Sequence, residues 1–259
     1  MTSGRPLLEM TGISKRFGAV QVLHDVDFEV HPGEVVALVG DNGAGKSTLI
    51  KTMSGIFKPD AGVISWLGEA QHLSSPGEAT HLGIATVYQD LALCDNLDVV
   101  ANLYLGREEL GTLPLIDETK MELEATVLLR RLAVSIPSVR TPVASLSGGQ
   151  RQSVAVARAT MGQPKLVILD EPTAALGVPQ TRQVLALIDR LRQEGLAVIV
   201  ISHNLVDVFQ IADRIIVLRL GRRVATFDAK DSTADQVVAA MTGASQVDVS
   251  TVLAGGVTS

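Results

Sequence analysis

Apolar positions recur along this chain at two spacings, and the switches between them mark out its elements. Leu7 to Phe17 and Val20 to Val30 read as two paired strands, with alternation clearest at Val26, Phe28 and Val30. Val35–Val39, Leu166–Asp170 and Ala197–Ile201 are nearly unbroken apolar runs, the pattern of strands in a parallel sheet covered on both faces. Shorter strands are expected at Val63–Trp66 and Ile84–Tyr88, and a closing hairpin at Arg214–Arg219 and Arg222–Phe227 around Leu220-Gly221. Helical spacing appears at Met121, Ala125, Leu128 and Leu132 behind the N-cap Asp117. It recurs at Val184, Leu187, Ile188 and Leu191 between Pro179 and Gly195. Further helices are expected from Leu49, from Pro76 to Leu82 with Ser75 as cap, from Gly148 to about Met161, after Ser202-His203-Asn204, and from Thr233 to Thr242. His31–Glu34 and Lys58–Gly62 are turns.

Strands alternating with helices make this an α/β chain, with a mostly parallel sheet, a set of short antiparallel strands in front and a helical insertion at about 91–145. The main unit is expected over 7–243, and 244–259, without periodicity, as a loose tail. The chain has 259 residues and is 46% hydrophobic, enough to bury a core. A formal charge of −6 argues against a general nucleic-acid binder, whose footprint is usually basic. A single cysteine, Cys94, leaves no intrachain disulfide to form and fits a reducing compartment. No apolar run approaches the ~20 residues of a membrane span, and no signal peptide is expected in Met1–Glu9.

Between the strand Val35–Val39 and the helix from Leu49 lies Gly40-Asp41-Asn42-Gly43-Ala44-Gly45-Lys46-Ser47-Thr48. This is the spacing G-x-x-x-x-G-K-[ST] of a phosphate-binding loop. Its glycines let backbone N–H groups turn inward, the following helix adds its positive end, Lys46 reaches the β- and γ-phosphates, and the Ser47 hydroxyl reaches Mg²⁺. Asp170 and Glu171 end an apolar strand. Behind a phosphate loop, Asp170 suits a Mg²⁺ ligand and Glu171 a group that polarises the attacking water. In isolation they would only solvate a strand end.

Leu146-Ser147-Gly148-Gly149-Gln150 (LSGGQ) opens a helix, with its N–H groups and the Ser147 hydroxyl expected to face outward as a second phosphate cradle. With the phosphate loop and the Asp170-Glu171 strand, this pentapeptide resembles the signature of the ATP-binding-cassette (ABC) ATPases. The resemblance covers about 7–243 and implies an ABC ATPase fold and a head-to-tail homodimer. Each ATP, with its Mg²⁺, would lie between one copy's loop Gly40 to Thr48 and the other copy's Ser147, Gly148, Gly149 and Gln150. It further implies that Phe17 stacks on adenine, that Gln89 holds Mg²⁺ or water and links the site to the insertion, and that His203 contacts the γ-phosphate. Phe17 as a strand-end core residue and Gln89 as a polar strand end remain the plainer alternatives. His24, His31, His72 and His81 read as surface or turn residues.

One position departs from the pattern: Gly177 stands where most of the family carry an aspartate that ties the two sites together. Within the family, Tyr88–Leu93, Asn102–Arg107, Glu171–Val178 and Ile201–Val208 are similar to the ATPases of bacterial monosaccharide importers of the ribose, xylose and fructose type, especially the single-domain fructose-type subunit. That resemblance implies transmembrane permease partners, a periplasmic sugar-binding protein and a place on the cytoplasmic face of the inner membrane. Export, another solute, or a soluble ABC protein on ribosomes or DNA are the alternatives. The apolar segment Leu91–Leu105 suits a partner groove or plain core packing equally.

Overall fold

The structure, a computed structural model, describes residues 4–111 and 115–244. From 245 on, the expected tail lies outside the described residues. Strands β1 (Leu8–Phe17), β2 (Val20–Val30), β4 (Ala61–Trp66) and β5 (Glu69–Gln71) form an antiparallel sheet in the order β2-β1-β4-β5, once β3 (Val35–Val39) is set apart. Strand β3 belongs instead to a six-stranded sheet with β6 (Ile84–Val87), β7 (Leu166–Asp170), β8 (Ala197–Ile201), β9 (Arg214–Arg219) and β10 (Arg222–Asp228), ordered β10-β9-β3-β8-β7-β6. All its neighbours are parallel except β9 and β10, joined by the expected tight hairpin. Leu220 (φ 47°) and Gly221 (φ 74°) are both left-handed there, as a two-residue turn between twisted strands requires.

The helices are α1 (Lys46–Met53), α2 (Pro76–Leu82), α3 (Val99–Tyr104), α4 (Glu118–Arg131), α5 (Gly148–Thr160), α6 (Val178–Gln193), α7 (Leu205–Ile211) and α8 (Ala234–Thr242). Ser75, Asp117, Ser147, Asn204 and Thr233 each accept a first-turn backbone N–H, so the caps expected at Ser75 and Asp117 are in place. Side-chain alternation divides the core. Leu166 and Ile168 of β7, Ile199 of β8 and Leu38 of β3 face the antiparallel sheet and α1. Val167, Leu169, Val198 and Val200 face α3, α4, α5 and α6. Both faces of the parallel sheet are therefore dry, which is why its strands read as unbroken apolar runs.

Three details differ from the sequence reading. Strand β5, short and polar, carried no periodic signal. The segment before Leu105 contains a helix, α3, whose Val99, Val100 and Leu103 enter the core rather than a surface groove. On α4 the stripe is Met121, Ala125 and Leu129, with Leu132 just beyond, so Leu129 replaces Leu128 as the third buried position. Asn102, fully buried on α3, holds the preceding loop: Cys94 N–H donates to its amide oxygen at 2.7 Å, and its own N–H₂ donates to the carbonyls of Cys94, Leu97 and Asp98.

Candidate nucleotide site

Four strand ends converge on the site. The phosphate loop follows β3, Gln89 follows β6, Asp170 closes β7, and His203 follows β8. In an open parallel sheet the carboxyl ends are where ligands bind, because loops there converge over helix N-termini. A cavity of about 290 Å³ opens at this edge, lined by Asn42, Gly43, Ala44, Gly45, Lys46, Ser47, Thr48, Gln89, Asp170 and Glu171, with Val22 and Ile201 as apolar walls.

The loop's shape follows from its glycines. Gly45 is the N-cap of α1 with φ 104°, and no side chain caps the helix, so its first N–H groups are left for an anion. A Cβ there would crowd Leu23 Cδ2 at 2.9 Å and the Val22 carbonyl at 3.2 Å, and the left-handed φ disfavours any side chain at this point. Gly43 (φ 82°) is open on all sides. The Lys46 ammonium folds back onto its own loop and donates to the Gly40 carbonyl at 2.6 Å and the Asp41 carbonyl at 3.0 Å. Burial lowers its pKa, against the pull of Glu171, Asp41 and Asp170. Burial also raises the Asp170 carboxyl above its ordinary value, and the neighbouring Glu171 adds to this. The half-buried Asp170 carboxylate, which makes no salt bridge among the described residues, lies beside Glu171, a hydroxyl (Ser47) and an amide (Gln89), an oxygen donor set that a hard cation fits. Among the described residues no three His, Cys, Asp or Glu side chains cluster as a metal cage. A cation here would therefore complete its shell with phosphate oxygens and water, the usual habit of Mg²⁺.

Glu171 sits in the left-handed region (φ 51°), and its N–H donates to the Ile201 carbonyl at 3.0 Å. For a branched-free but bulky residue this conformation is strained, and such strain gathers at functional sites. The twist brings the Glu171 Oε2 to 2.8 Å from the His203 Nδ1. Thr173 Oγ1 donates to Asp207 Oδ2 at 2.7 Å, which ties the loop after Glu171 to helix α7, just beyond His203. Asp207 is buried. The sequence reading missed it, along with Val22, because neither belongs to a motif; an acid at the third position of a short helix was the one available signal.

Phe17 ends β1 outside the cavity and is 42% exposed. The Phe57 ring meets it edge-on at 5.0 Å, and Lys15 Nζ lies 5.5 Å from its ring centre. Ser147–Gln150 are also absent from the cavity lining, at the start of α5. The Ser147 hydroxyl does not simply face outward as expected: it accepts the Gln150 N–H, while the Gln150 side chain accepts the Ser147 N–H, a reciprocal cap. Gly148 is half-buried and Gly149 buried.

A phosphate loop at a parallel-sheet edge, with carboxylates on the adjacent strand, defines a P-loop nucleotide-binding protein. The chain belongs to the ABC transporter family, whose model matches residues 23–174. It is 47% identical to the fructose import ATP-binding protein FrcA of Rhizobium meliloti, over 93% of this chain and 95% of that one. It is 44% identical to the xylose/arabinose import ATP-binding protein XylG of Sulfolobus acidocaldarius, over 91% and 94% of the two chains. Its fold matches the ADP conformation of MJ1267, an ATP-binding cassette of an ABC transporter, with a TM-score of 0.80 and 25% identity over 98% of this chain and 100% of that one.

Proposed function

We propose that this chain is the ATP-binding and ATP-hydrolysing subunit that energises a membrane importer of a monosaccharide of the ribose, xylose or fructose type. The observation that carries the chemistry is the convergence of Lys46, Ser47, Gln89, Asp170 and Glu171 on one cavity, with His203 on Glu171. The names of the sugar-import relatives carry the solute class.

In this reading the loop N–H groups and the start of α1 hold the phosphates, and Lys46 leaves the carbonyls of Gly40 and Asp41 for the β- and γ-phosphate oxygens. Ser47, Gln89 and Asp170 would hold Mg²⁺, which would supply positive charge to offset that developing on the phosphates. Glu171, already aimed by its backbone twist, takes the proton of the attacking water. His203 holds the Glu171 carboxylate through Nδ1 and turns its other ring nitrogen toward the γ-phosphate. Phe17 offers one ring face to adenine. Ser147–Gln150 of a second copy close over the γ-phosphate, so contacts made only in the closed dimer drive closure, and their loss on hydrolysis reopens it.

The insertion at about 91–145 is where the permease docks. A cavity of about 340 Å³ lies directly beyond Gln89, lined among others by Tyr88, Asp90, Leu91, Arg107 and Arg158, so a movement of Gln89 reaches it within one residue. Among the described residues no helix is long and apolar enough to cross a membrane. In the importer reading this chain sits peripherally on the cytoplasmic face of the membrane, through its permease. A periplasmic sugar-binding protein completes the assembly indirectly.

The test is ATPase activity of the chain reconstituted with its permease and binding protein. Stimulation by one of the three sugars is expected. Recovery of the chain with ribosomes, and with no membrane protein, would overturn the importer reading.

A further inference from the structure

Gln180, in the first turn of α6, belongs to none of the motifs, yet its side chain lies across two of them. A Cβ on Gly149 would stand 2.6 Å from Gln180 Cβ and 2.9 Å from its Cγ, so the signature helix rests its backbone directly on the Gln180 stem. A Cβ on Gly177 would stand 2.7 Å from the Gln180 amide oxygen, which therefore fills the space next to that glycine. Gly177 has ordinary extended dihedrals (φ −73°, ψ 163°), so its backbone does not demand glycine. What stands in the way of a side chain there is the end of the Gln180 side chain, which would have to turn aside. The Gln180 oxygen is buried without a hydrogen-bond partner, and α6 begins without a side-chain cap. Leu176 makes the parallel contact one residue earlier: a Cβ on Gly148 would stand 3.1 Å from its Cδ2.

We infer that Gln180 is a positioning residue that seats the Ser147–Gln150 turn on the 171–177 loop, so that the position of the Glu171 loop in one copy sets the position of the cradle that copy offers to its partner's ATP. The inference rests on the two-copy reading of the site above. Gly149 and Gly177 are then one device. The Gln180 stem occupies the space beside Gly149, and its amide end the space beside Gly177. It replaces a direct link from position 177 with a packed one inside the same chain. Packed contacts of this kind transmit displacement because the interior has little free volume to absorb it.

The inference is tested with Gln180→Ala, Gln180→Met, Gly177→Asp and the double variant Gly177→Asp/Gln180→Ala. Nucleotide affinity, kcat, thermal midpoint and ATP-driven dimerisation in a Glu171→Gln background are the readouts. Gln180→Ala should leave the affinity of the single chain for a fluorescent ATP analogue within about twofold while lowering kcat about tenfold and weakening dimerisation. Gln180→Met keeps the stem on Gly149 and should restore at least about half of kcat. In Gly177→Asp the new carboxylate meets the Gln180 oxygen, acceptor against acceptor. The double variant loses that contact, so its relative kcat should lie about fivefold or more above the product of the two single variants' relative kcat values, the mark of residues in contact.

An unchanged kcat in Gln180→Ala, or a loss that tracks falling nucleotide affinity and thermal midpoint together, would overturn the inference. So would strictly multiplicative effects. If the Glu171→Gln chain with Gln180 intact stays monomeric in ATP, the two-copy reading fails and this inference with it. If that chain dimerises and Gln180→Ala dimerises equally well, only the role of Gln180 fails.

Discussion

At the scale of single residues, the site depends on groups held ready but not yet engaged. Lys46 spends its hydrogen bonds on two carbonyls of its own loop, which keeps a half-buried cation satisfied until phosphate oxygens compete for it. Lys46→Ala should abolish ATP turnover; a variant with wild-type ATPase rates would remove the phosphate-loop assignment. Glu171 is placed by backbone twist rather than by side-chain reach, so Glu171→Gln keeps the geometry and loses only the proton acceptor. It should bind ATP normally, turn over at least about a hundredfold more slowly, and accumulate as a dimer in ATP. Gel filtration that shows monomer alone would count against the two-copy site. Thr173→Val strips the partner from a buried carboxylate, Asp207, and frees the loop after Glu171. A cost on the order of 2 kcal/mol in stability is expected from the unpaired group, together with a fall in kcat larger than any change in KM. Equal changes in kcat and KM would mean that the tether serves folding alone.

At the scale of elements, the sequence reading succeeded where a segment's environment is uniform and failed where it is not. Strands β3, β7 and β8 are covered on both faces, so every position reports the same surroundings and the run is plain. Capped helices such as α2 and α8 announce their starts chemically through Ser75 and Thr233. Strand β5 is exposed and polar; it exists because β4 offers it an edge to pair with, a fact that resides in β4. Helix α3 is six residues long, shorter than two turns, and its apolar run cannot be told from a loop by period alone. Its stability depends on tertiary packing and on Asn102. Asn102→Leu should therefore leave the Cys94 N–H without a partner, while the carbonyls of Cys94, Leu97 and Asp98 keep the N–H groups of Leu97, Val143 and residue 102, and should destabilise the protein by on the order of 2 kcal/mol, measured as a shift of the denaturant midpoint. A shift near zero would mean that the loop from Cys94 to Asp98 finds other partners.

At the scale of the whole molecule, the parallel sheet carries the phosphate loop, both carboxylates and His203 at one edge, while Gln89 leads from that edge to the cavity beside residues 91–107. The arrangement predicts separable functions. Arg107→Glu, at the rim of that outer cavity and distant in sequence from every phosphate-facing group, should leave ATP binding by the isolated chain intact while lowering sugar-stimulated ATPase of the reconstituted assembly by about tenfold. Wild-type stimulation in that variant would move the docking surface elsewhere.

The sequence by itself determined what depends on covalent order and local chemistry. The phosphate loop needs its glycines, lysine and hydroxyl in register between strand and helix, and all of them lie within nine consecutive residues. The Asp170-Glu171 strand end and the LSGGQ helix start are equally local, so they were legible, and the family with them. The tertiary structure decided which of these distant pieces meet. Glu171 reaches His203 across 32 positions because β7 and β8 are neighbours, and Thr173 reaches Asp207 for the same reason. It also decided that Gln180 lies against both Gly149 and Gly177, which no spacing along the chain encodes. Glycines are read in a sequence as freedom of the backbone; here the Gln180 side chain lies in the space beside both Gly149 and Gly177, and only close packing in three dimensions makes that visible.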